Sequence, residues 1–183
     1  MLRTAIVFIL PLLALFAEPL IAQGMHGHMH GADGTGHDEV TMPGLRGEDA
    51  TPEESMELEV MFRGFETFTR SVTNLPNGIR AVTSSSDPAV MEALVSHVTG
   101  MLTRIEDGRD PKIFIQSPTL DILFAQNDDI ETEIEITDEG VVVTQTSDNP
   151  DVVAALHTHA AEVSDMAERG MVAVHERMMG GSN

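Results

Sequence analysis

Residues 78–108 read GIRAVTSSSDPAVMEALVSHVTGMLTRIEDG, and residues 140–170 read GVVVTQTSDNPDVVAALHTHAAEVSDMAERG. The two stretches overlay without a gap at an offset of 62 residues (140 − 78). Gly78 falls on Gly140, Ser85 on Ser147, Pro88 on Pro150, His97 on His159, Glu106 on Glu168 and Gly108 on Gly170. Val90, Ala93 and Leu94 fall on Val152, Ala155 and Leu156, and Phe62 falls on Phe124. Self-similarity at a fixed spacing marks a supersecondary unit used more than once. The overlay therefore predicts an internal duplication.

The second copy shows the unit most plainly. Ser117 followed by Pro118 is a helix start, a capping hydroxyl with proline at the first helical position. DIETEIEI then alternates, with Ile130, Thr132, Ile134 and Ile136 on one face and Glu131, Glu133 and Glu135 on the other, the pattern of a strand with one dry face. TDEG turns the chain, VVVTQTS returns as the partner strand, and Asp148 or Asn149 caps a helix with Pro150 just inside it. That helix ends at Gly170 or runs on to Met179. In the first copy Thr51 and Pro52 start a helix, ETFTRSVT and GIRAVTS form a hairpin across NLPN, and Asp87 and Pro88 start the helix that ends near Gly108. The unit is helix, strand, strand, helix. Two such hairpins are marginal apart and sound when joined. The predicted fold is a two-layer α+β domain: an antiparallel four-stranded sheet from two tandem repeats (51–110 and 111–172), helices packed on one face, and a Met-rich C-terminal tail within 51–183.

The flanks are of another kind. Arg3, the apolar run from Ala5 to Phe16 and the small residue Ala22 form a secretory signal over 1–23, shorter than a membrane span. Residues 24–50 are polar and Gly-rich, opening GMHGHMHGADGTGH, and predict a disordered arm. The chain has no Cys, Trp or Tyr, which excludes disulfides, thiolate metal sites and Cys nucleophiles. It carries 30 Asp and Glu against 10 Lys and Arg. That balance repels nucleic acid and anionic lipid. The expected location is the periplasm or the exterior, with no membrane contact once the signal is removed.

Candidate chemistry sits in two places. In the arm, His26, His28, His30 and His37 with Met25 and Met29 can wrap one ion, and a mixed imidazole and thioether set favours copper over zinc. Cleavage after Gln23 would leave a free amine with His third, a square-planar Cu(II) site; cleavage after Ala22 would not. In the folded part, His97 and His159 border the apolar stripe of their helices at matched positions, so both are expected to face one site at the junction of the copies. Met101, one turn beyond His97, adds a soft ligand. Arg70 takes the inward position matched by Thr132, where a guanidinium binds an anion or snorkels to water. Phe62, Phe65, Phe68, Phe114 and Phe124 are available to wall a haem pocket. His157, two residues from His159, is expected to face solvent, since residues two apart on a helix diverge. Met171, His175, Met178 and Met179 share a helix face, as packing or as a homodimer surface.

Three readings follow. One is an exported copper-binding protein for storage, delivery or tolerance. Another is a module that holds haem or a small ligand at His97 and His159. The last is a metal-dependent enzyme, ranked lowest because no nucleophile or positioned carboxylate accompanies the histidines.

Overall fold

A computed structural model describes residues 43–180 of the chain. Helix α1 spans Pro52–Arg63 and strands β1 and β2 span Phe68–Leu75 and Gly78–Ser85. Helix α2 is Pro88–Glu106 and α3 is Pro118–Ala125. Strands β3 and β4 span Glu131–Thr137 and Gly140–Thr146, and α4 and α5 span Pro150–Arg169 and Met171–Gly180. The four strands form one antiparallel sheet in the order β1-β2-β4-β3, and the helices pack against it. The α+β architecture is the one the sequence predicts.

Local chemistry starts each long helix as expected. Thr51 and Glu54 form a reciprocal capping box on α1, and Asp87, Ser117 and Asn149 accept backbone N–H groups at the starts of α2, α3 and α4. A proline occupies the first turn in all four. Gly108 and Gly170, matched in the overlay, both adopt left-handed backbone, with φ of 63° and 56°. Gly170 ends α4, so the chain does not continue as one helix to Met179 but restarts as α5.

The sheet register keeps the same spacing. Thr69 pairs Ser84, and 62 residues on Glu131 pairs Thr146; Leu75 pairs Gly78, and Thr137 pairs Gly140. At the centre Ala81 faces Val143, its own counterpart, so the ladder is symmetric about that pair. The first hairpin is tighter than the sequence suggested: β1 runs on to Leu75 and only Pro76 and Asn77 make the turn.

Two apolar clusters hold the layers. Leu123, Val152, Ala155, Leu156 and Ala160 pack on Ile79, and Leu45, Ile115, Met171 and Val174 form the second. Leu45 moves the domain boundary. The expected start at Thr51 is too late, because Leu45 is 2% exposed, Gly47 bridges Ile113, and Asp49 donates its N–H to Pro111 O. Buried Arg104 ties this segment to the helices, reaching Asp49 and Glu54 together. The rest of the arm, with its His and Met, lies outside the described residues. On β3 the expected dry face is only partly dry. Ile134 and Ile136 are exposed on that edge strand.

Candidate functional site

The inward positions of the central strands are Ile79, Ala81 and Thr83 on β2 and Val141, Val143 and Gln145 on β4. Between them and α1, α2 and α4 lies a cavity of about 280 Å³. Its walls are apolar, including Leu58, Phe62, Leu94, Val98 and Val163. Its polar lining is sparse: His97, His159, Glu162, Arg70, Thr83, Gln145, Gln116, Ser117 and Arg177. An apolar pocket with a few convergent polar groups is the usual form of a small-ligand site.

His97 on α2 and His159 on α4 both line this one cavity, and Met101 and Arg70 line it with them. The two imidazoles are held alike. Nδ1 of His97 lies 3.9 Å from Glu57 Oε2, and Nδ1 of His159 lies 3.9 Å from Glu162 Oε2. Those separations are too long for a hydrogen bond, and both Nδ1 atoms are sealed from solvent without a partner. Yet the side chains remain 22% and 25% exposed. Each imidazole sets Nδ1 near a carboxylate while its side chain lines the cavity.

The carboxylates are anchored in turn. Ser96 donates to Glu57 Oε1, and Ser117 donates to Glu162 Oε1 at 2.6 Å. Burial pushes the His97 pKa down to about 4; Glu54 opposes that shift and His159 adds to it. His97 is thus a neutral ring at neutral pH. The His159 ring, with the Ser117 hydrogen bond, holds the Glu162 carboxyl below its usual range. Arg70 donates from Nη1 to Thr83 Oγ1 at 2.5 Å and from Nε to Ser164 Oγ at 3.3 Å.

Other expectations fare differently. His157 is not solvent-exposed. It is half-buried, and its Nε2 sits 2.8 Å from Gly78 O and 3.1 Å from Leu75 O, pinning α4 to the first hairpin. Opposite faces of α4 did separate it from His159, but the face opposite the cavity meets the hairpin instead of water. Phe62, Phe65 and Phe68 line the cavity, while Phe114 is exposed and Phe124 is buried outside it. Met171 is buried in the second cluster, and Met178 and Met179 are exposed. Among the described residues, no group of three or more His, Asp or Glu is placed to hold a metal ion, and no helix is long and apolar enough to cross a membrane.

Sequence reasoning missed Glu57, Thr83 and Ser164. Thr83 had a signal once the hairpin register is set, since it pairs directly with Arg70. Glu57 and Ser164 had none, because each arrives from a different helix through tertiary packing. Searches against protein-family models, curated proteins and solved structures give no match for this chain.

Proposed function

We propose that the protein is an exported binding module whose cavity holds a small, largely apolar organic ligand, read at its polar end by His97 and His159. The observation that carries this reading is one cavity lined by both imidazoles, each half-buried and backed by a carboxylate. Size separates the candidate ligands. At roughly 30 Å³ per water, 280 Å³ is about nine waters, far more than a bare metal ion fills. It also lies at the lower bound for pockets of drug-sized ligands, which leaves a porphyrin little room without widening. An internal duplication, as the 62-residue overlay suggests, is a simple origin for matched helices that carry matched histidines to one cavity.

Plugging the cavity tests this reading. The full chain should bind 1-octanol with 1:1 stoichiometry by isothermal titration. Met101→Trp, which adds bulk to the cavity wall from α2, should abolish that binding with the far-UV circular dichroism unchanged. No binding to the wild type, or undiminished binding to the plugged variant, contradicts it.

Copper capture by the arm is a separate proposal that rests on His26, His28, His30, His37, Met25 and Met29. Removing 24–42 should lower the copper bound per chain and leave the melting temperature unchanged. Copper content that survives the truncation refutes it.

A further inference from the structure

The cavity reading leaves Arg70 unexplained. Its guanidinium enters from the middle of β1 and is half-buried. Both of its partners, Thr83 Oγ1 and Ser164 Oγ, are neutral hydroxyls. Ser164 gives its own proton to Ala160 O at 2.8 Å. A guanidinium carries five N–H donors in a planar fork. Nη2 and one hydrogen of Nη1 are left over, and Nη2 is not sealed off by protein atoms.

Among the described residues, four other arginines are paired with carboxylates, whereas Arg46 and Arg80 are exposed and half-buried Arg177 donates to Ile115 O. Arg104 takes Asp49 and Glu54, Arg169 takes Asp165 and Glu176, Arg63 takes Glu59 and Arg109 takes Asp107. The chain carries 30 acidic side chains, yet among the described residues none forms an ion pair with Arg70. Leaving a charge unpaired in an apolar space is unfavourable. Desolvation lowers the Arg70 pKa only to about 10, so the charge persists at neutral pH.

We propose that Arg70, set by Thr83 and Ser164, is an anion anchor, and that the ligand of the cavity is a monocarboxylate with an apolar body. This rests on the cavity-ligand reading above. The free side of the fork matches a carboxylate, which accepts two parallel N–H bonds. One unit of charge suits the site better than the two of a phosphate. His97 is neutral, and of the other charged groups lining the cavity Glu162 offsets Arg177, so Arg70 supplies the unbalanced positive charge. At about 30 Å³ each the volume admits about nine heavy atoms, close to the size of a medium-chain or small aryl carboxylate.

The test compares octanoate with 1-octanol by isothermal titration on the full chain at neutral pH. Octanoate should bind about tenfold tighter or more, the worth of charged hydrogen bonds to a buried partner. Arg70→Gln should remove that advantage, and Arg70→Lys should recover part of it, since an ammonium cannot make the paired contact. Arg80→Gln, which removes the same charge from the exposed face of β2, should leave octanoate affinity unchanged. If Arg70→Gln does not fold, the octanoate-to-octanol ratio of the wild type decides alone. Equal affinity for the two probes, or equal losses from Arg70→Gln and Arg80→Gln, overturns the anchor and leaves the cavity reading intact. Binding of neither probe overturns both.

Discussion

The two hairpins share a register and differ in cover. On the first, α4 lies across β1 and β2 and shelters Phe68, Arg70 and Val72. On the second, the counterparts 62 residues on are Ile130, Thr132 and Ile134, and they run out to an edge where Ile136 is 62% exposed. The helices differ in the same way. Val152, Ala155 and Leu156 of α4 are packed tight, whereas Leu94 of α2, with Val98 and Met101, borders the cavity that Ala160 and Val163 of α4 also line. Strand register follows from alternation and tight turns, which each hairpin carries within itself. Cover follows from which helix reaches which strand, and no local pattern states that. The cavity lies where α2 and α4 both meet the central strands.

The largest expected effect contrasts two matched leucines. Leu156→Ala should cost about 4 kcal/mol, because its site is fully packed. Leu94→Ala should cost about 2 kcal/mol, because its side chain already borders a cavity. Urea unfolding of both variants measures this, and equal or reversed losses would break the contrast between the helices.

The next concerns pH. The His97 pKa is depressed to about 4 in the folded chain, against 6.5 when free. Between those values the unfolded chain binds the extra proton, so stability from this group is complete above pH 6.5 and is lost as pH falls toward 4. At about 1.4 kcal/mol per pH unit the loss reaches about 3 kcal/mol. His97→Asn should flatten that part of the stability curve. An unchanged slope would mean that His97 is not buried as a neutral ring.

The fold was legible where chemistry is local. The Asp87, Ser117 and Asn149 caps, the prolines behind them and the alternation of 130–136 locate the elements directly. The matched positions of His97 and His159 pointed to a shared space, and both line it. What the sequence hid was tertiary. Leu45 sits among polar neighbours, and only the cluster with Ile115, Met171 and Val174 explains it. His157 looked exposed because helical periodicity places it away from His159 but does not say that carbonyls of the first hairpin wait there.

That histidine supplies a smaller prediction. His157→Ala should cost about 1–2 kcal/mol, since two half-buried carbonyls lose their partner, and ligand affinity should not change. A silent substitution would mean that the first hairpin does not depend on this link. Smallest of all is Ile136→Thr on the open edge, expected within about 0.5 kcal/mol of the wild type. A larger loss would show that something covers β3 in solution.

The central claim is that His97 and His159 face one ligand space. Long-range ¹H–¹⁵N NMR of the imidazole rings during an octanoate titration tests it most directly. Nε2 of His97 and Nε2 of His159 should shift together with a single midpoint, while the His157 ring stays still. A shift at one ring alone, or octanoate binding that moves neither, would contradict the account.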